Sequence, residues 1–123
     1  MQGKKILIVE DDEELQILYG LYLRGESFQI LRAYNGADAL KSIHKEKPDL
    51  IVLDMIMPVM DGEEFLKELH AETNFKDIPI IIASVNDKIP QKMFELGNIC
   101  TTLRKPFSIE TLVGKINDVF SHK

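Results

Sequence analysis

Four short polar stations carry the residue types that metal and phosphoryl chemistry use. Glu10-Asp11-Asp12 follows an apolar run at 6–9, Asp54 follows one at 50–53, Ser84 follows 78–83, and Lys105-Pro106 lies just past 99–103. An ionised group abutting four apolar residues, as Asp54 does, is a placement that folded chains keep mainly for function. If Glu10, Asp11 and Asp54 meet, their charges repel and raise one another's pKa, and a bound cation is the economical remedy. All-oxygen donors suit a hard ion such as Mg²⁺, with Mn²⁺ as the substitute. Add the ammonium of Lys105 as a second point charge and the hydroxyl of Ser84 as a donor, and the set has the parts that stabilise in-line phosphoryl transfer. The nucleophile is then a carboxylate oxygen of Asp54, and the product an aspartyl phosphate.

These stations are far apart in the chain, so the fold must bring them together. Five apolar runs, at 6–9, 28–31, 50–53, 78–83 and 99–103, alternate with stretches of helical periodicity. Leu15, Leu18, Tyr19, Tyr22 and Leu23 predict one buried stripe on the first helix, and Ile109, Leu112, Val113 and Ile116 another on the last. Asn35 before Gly36, and Asp61 with Glu64 three residues on, predict helix starts. Pro90 limits the fourth helix to little more than residues 91–96, a short and irregular element. Continuously apolar strands imply burial on both faces, hence a doubly wound α/β domain with a parallel sheet between helices. All four stations follow strands, and the carboxyl ends of parallel strands share one edge, where open α/β sheets bind ligands.

The bulk numbers bound the function. A chain of 123 residues with 45% hydrophobic content supports one core, so residues 1–123 are read as a single domain with no output module after the last helix. A net charge of −5 argues against direct nucleic-acid binding. The single cysteine, Cys100, is read as an inert core thiol. Met1-Gln2-Gly3-Lys4-Lys5 leads straight into an apolar strand rather than a signal segment, and no apolar run approaches a membrane span, so a cytoplasmic protein without membrane contact is expected.

The segments 6–12, 49–62 and Lys105-Pro106-Phe107 together resemble the receiver domains of two-component response regulators over essentially the whole chain. The resemblance implies a flavodoxin-like five-stranded sheet in the order 2-1-3-4-5. It implies that Asp54 accepts the phosphoryl group, that Asp11 and Asp54 contact Mg²⁺ (or Mn²⁺), that Glu10 holds a water of the metal, and that Ile56 lends its backbone carbonyl. It further implies that Ser84 bonds the phosphoryl oxygen, that Lys105 pairs with Asp54 or the phosphate, and that the Lys105-Pro106 peptide is cis. The phosphoryl donor would be a phosphohistidine on a sensor histidine kinase or a phosphotransfer protein. Two positions depart from the family. Val85 stands where a small residue is usual, and Thr102 where the family carries Tyr or Phe, so the aromatic reporter of the usual relay is missing.

Plainer readings stand beside these. Asp12 is better read as a helix cap than as a ligand, and Ser84 could cap a turn. His44, His70 and His122 lack the paired spacing of metal ligands and are read as surface residues, and Lys41, Lys45 and Lys47 as a solvated helix face. An aspartate-nucleophile hydrolase of the haloacid-dehalogenase type would resemble Asp-x-Asp after the first strand, whereas Asp54 follows the third and Ile56 is apolar. A flavodoxin-like cofactor carrier would place a phosphate cradle where Glu10-Asp11-Asp12 stands.

Overall fold

The computed structural model describes residues 3–55, 60–85, 89 and 91–121. Strands and helices alternate along the chain: β1 (Lys5–Val9), α1 (Glu13–Arg24), β2 (Gln29–Ala33), α2 (Gly36–Lys45), β3 (Leu50–Asp54), α3 (Gly62–His70), β4 (Pro79–Ser84), α4 (Gln91–Leu96), β5 (Asn98–Arg104) and α5 (Ile109–Ser121). The five strands are parallel in the order β2-β1-β3-β4-β5, as the resemblance implies.

Period-two alternation explains why the central strands read as unbroken apolar runs. Leu7, Val9, Ile51, Leu53, Ile80 and Ile82 face one cluster with Ala39, Ile43, Phe65, Leu66, Leu69 and Met93, from α2, α3 and α4. Ile6, Ile8, Leu50, Val52 and Ile81 face the other, with Tyr19, Leu23, Leu112 and Ile116 from α1 and α5. Each face is covered by helices, so neither set of side chains meets water. Burying one such side chain contributes about 1.5–3 kcal/mol. β2 and β5 lie at the sheet edges and carry exposed residues along their lengths, and in β5 the exposure alternates.

The helix starts fall where the caps predict. Asp12 accepts a bond from the Leu15 amide at 3.2 Å, Asn35 from Asp38 at 2.9 Å, and Asp61 from Glu64 at 3.0 Å. α4 is short, six residues from Gln91 to Leu96. His44 and His70 are exposed, as are Lys41, Lys45 and Lys47.

Two expectations need correction. The buried face of α1 is Gln16, Tyr19, Gly20 and Leu23, while Leu18 and Tyr22 are 41% and 54% exposed. The helix is rotated about its axis so that the Gln16 amide points into the sheet. Cys100 is exposed rather than a core thiol. The pairing of β4 with β5 slips there: Ile80 opposes Ile99 but Ile81 opposes Thr101, leaving Cys100 as the extra residue of a bulge on an edge strand.

Candidate functional site

The carboxyl ends of β1, β3, β4 and β5 converge, and the polar stations converge with them. β1 ends at Val9, and the next residue, Glu10, still donates its amide to the Ala33 carbonyl at 3.0 Å. Asp54 is the last residue of β3 and pairs in register with Ala83. Ser84 is the last of β4, and its carbonyl accepts the Lys105 amide at 2.8 Å. Lys105 follows β5, and its peptide with Pro106 is cis.

Glu10, Asp11 and Asp54 each offer a carboxylate oxygen, and these oxygens lie within 4.8 Å of one another. Asp11 is exposed, whereas Glu10 and Asp54 are 3% and 7% exposed. Three clustered oxygen donors open to solvent on one side fit a hard divalent cation, the donor chemistry that the sequence suggests. Lys105 Nζ donates to Glu10 Oε1 at 2.7 Å and to Asp54 Oδ2 at 3.3 Å, across 95 and 51 residues of sequence. Burial pushes the Glu10 carboxyl above its ordinary value; the bond to Lys105 opposes this, and the neighbouring Asp54 charge adds to it. For Lys105 burial pulls the ammonium down, but the bond to Glu10 and the charges of Asp54 and Glu10 outweigh it, so its pKa is raised.

The loop after β3 is held at both described ends. The Gly62 amide donates to the Met55 carbonyl at 3.0 Å and the Gly36 amide to the Met60 carbonyl at 2.9 Å. A Cβ on Gly62 would stand 2.7 Å from Met55 Cα, and one on Gly36 2.8 Å from the Met60 carbonyl oxygen, so only glycine admits these approaches. The backbone carbonyl expected of Ile56 lies outside the described residues.

Two features escape sequence reasoning. Gln16, fully buried, turns the two hydrogens of Nε2 toward three carbonyls, those of Ile8, Ala33 and Glu10, so that one hydrogen is shared. Tyr19 stacks on Phe107 with ring centroids 5.9 Å apart, beside a cavity of about 310 Å³ lined by Leu15, Leu18, Val85, Lys105 and Pro106 among others. Burial, with the nearby Glu10 charge, raises the Tyr19 phenol to about 12. The single signal for Gln16 is a polar residue interrupting the apolar stripe of an amphipathic helix. Thr102, where the resemblance leads one to look for a ring, is an exposed residue of β5.

Residues 6–117 match the model of the response regulator receiver domain. The chain is 39% identical over 113 residues to sporulation initiation phosphotransferase F of Bacillus subtilis, covering 91% of this chain and 90% of that protein. It is 37% identical to the alkaline phosphatase synthesis transcriptional regulatory protein PhoP of the same organism, covering 86% of this chain but spanning 44% of PhoP. Among solved structures, a putative response regulator from Chloroflexus aurantiacus superposes with a TM-score of 0.86 at 30% identity, covering 98% of this chain and 99% of that one. The receiver domain of the sensor histidine kinase PA1611 from Pseudomonas aeruginosa, which carries a magnesium ion in its active-site cleft, gives 0.83 at 27% identity, covering 94% and 96%.

Proposed function

Because this chain belongs to the response regulator receiver domain family, we propose that residues 1–123 form one receiver domain in which Asp54 takes a phosphoryl group from a phosphohistidine. The observation that carries the assignment is the placement of Asp54: 7% exposed at the end of a buried strand, in reach of Glu10 and Asp11, with Lys105 Nζ at 3.3 Å. The partner is a sensor histidine kinase or a phosphotransfer protein, and the setting is the cytoplasm. No helix among the described residues is long and apolar enough to cross a membrane.

In the transfer, an oxygen of the Asp54 carboxylate forms the new bond to phosphorus while the bond from phosphorus to the donor nitrogen breaks, and its electron pair stays on the imidazole. Glu10, Asp11, Asp54 and the Ile56 carbonyl are the proposed holders of Mg²⁺ or Mn²⁺. When bound, the ion supplies positive charge against the carboxylates and the phosphoryl oxygens. Lys105 leaves its bond to Asp54 Oδ2 for a phosphoryl oxygen, and Ser84, two strands from Glu10 and next to Ala83, donates its hydroxyl to another. The added charge of about −1.5 to −2 then alters contacts that differ between two surface states. The catalytic work is confined to the domain's own phosphorylation and dephosphorylation.

Intact-mass measurement with acetyl phosphate tests this. A phosphate adduct should form in Mg²⁺, vanish in excess chelator and be absent from Asp54→Asn. The same adduct on that variant, or steady turnover of a phosphate ester, would overturn the assignment.

A further inference from the structure

Glutamine is an unexpected residue at full burial on the inward face of a helix that packs on a sheet, since leucine would fill the space without polar atoms to satisfy. The two ends of the Gln16 amide are used very differently. Nε2 lies 2.9 Å from the Ile8 carbonyl, 2.8 Å from that of Ala33 and 3.2 Å from that of Glu10, while Oε1 is buried with no hydrogen-bond partner. The side chain is there for its donors.

Those three carbonyls mark where β1 leaves the sheet. Val9 opposite Ala33 is the last register pair, and the Glu10 amide to the Ala33 carbonyl is the last ladder bond. The Glu10 carbonyl lies beyond the ladder, and Gln16 gives it a donor from the helix. Both peptide units flanking the Glu10 Cα are thereby held, which fixes the direction in which Glu10 and Asp11 leave the backbone. The tie closes on itself. The Glu10 carboxylate accepts the Asp12 amide at 3.3 Å, Asp12 caps α1, and α1 carries Gln16 back to the Glu10 carbonyl.

We infer that Gln16 is a positioning residue, whose amide holds the Glu10-Asp11 segment in the arrangement that binds the divalent cation. This rests on reading Glu10, Asp11 and Asp54 as the metal site. Groups that orient ligands without touching the ion typically change metal affinity about 10- to 100-fold when removed. Gln16→Met keeps the length and removes the donors, so calorimetric titration with Mg²⁺ should show a dissociation constant raised about 10-fold or more. Leu23→Ala, two turns further along the same buried face, loosens the helix without touching the carbonyls and should leave that constant close to the wild-type value. In the wild-type protein, the Gln16 side-chain amide protons should exchange slowly with solvent and shift as Mg²⁺ is added, a measurement that holds even if Gln16→Met folds poorly. Unchanged affinity in Gln16→Met, equal weakening by Leu23→Ala, or fast-exchanging and unresponsive Gln16 protons would each overturn the proposal. Wild-type protein that binds no Mg²⁺ in the same titration would strike the metal-site reading itself, and the role of Gln16 with it.

Discussion

Replacing Lys105 with methionine keeps the stem and removes the ammonium that Glu10 holds at 2.7 Å and Asp54 at 3.3 Å. The carboxylate side chains are 4% and 10% exposed, so the loss takes one shared positive charge away from two buried carboxylates. Removing one partner of a fully buried pair costs about 3–5 kcal/mol, against about 0–1 kcal/mol for an exposed one. Lys105 keeps 17% of its side-chain exposure, and Glu10 can take up a proton instead of staying charged. The expected cost at neutral pH in chelator is therefore about 2–3 kcal/mol, or ~8–12 °C in Tm for a chain of this size. Magnesium should reverse much of it, because the ion replaces the missing charge and no longer competes with an ammonium; at 100-fold excess over Kd a ligand adds about 2.7 kcal/mol. Urea unfolding followed by circular dichroism, in EDTA and in excess Mg²⁺, reads both quantities. A loss under ~0.5 kcal/mol in EDTA, or the same loss in both buffers, would refute the picture of Lys105 as a counter-ion of Glu10 and Asp54.

Glu10 is raised above 4.5 by burial, so its native form holds a proton longer than the unfolded chain does; its contribution to stability is full below 4.5 and is lost as pH rises through the raised native value, and Glu10→Gln should flatten that part of the stability profile. His44 is raised above 6.5 by the Leu40 carbonyl and by Glu72, so its stabilising charge is present below 6.5 and fades as pH climbs through the native value; Glu72→Gln should lower the His44 midpoint in an NMR titration, and an unmoved midpoint would discount the pair. Gly62→Ala drives a Cβ against Met55 Cα and within 3.1 Å of the Asp54 carbonyl, which should cost about 1–3 kcal/mol in urea unfolding and slow phosphorylation of Asp54 by acetyl phosphate. Asp12→Ala should lose the α1 cap, about 1 kcal/mol, while the phosphate adduct on Asp54 still forms.

What the sequence disclosed was local or periodic. The apolar runs of β1, β3 and β4 mark strands covered on both faces, the caps at Asp12, Asn35 and Asp61 mark helix starts, and a parallel sheet then sends Glu10, Asp54, Ser84 and Lys105 to one edge without further assumption. What it concealed depended on rotation and long-range pairing. Apolar periodicity placed Leu18 and Tyr22 inward on α1, but the three carbonyls at the ends of β1 and β2 attract the Gln16 donors, and the helix turns to deliver them. Cys100 looked like a core residue because its neighbours are apolar, and no local pattern announces the slip between Ile80 and Ile81 that turns it outward. The direct bond of Lys105 to Glu10 spans 95 residues and depends on the reach of a glutamate, which spacing alone does not reveal.

The slip at Cys100 also affects what can attach to the sheet from outside. β5 is an edge strand, with a row of amide and carbonyl groups facing away from β4, and such a row can template a strand from another molecule. A regular edge of seven residues would offer that visitor a continuous ladder. The extra residue breaks it: side chains before and after Cys100 fall out of step, so a straight newcomer in register with Asn98 and Ile99 is out of register from Thr101 onward. The same irregularity that hid the thiol's exposure therefore guards the domain against growing its sheet by accretion of further chains.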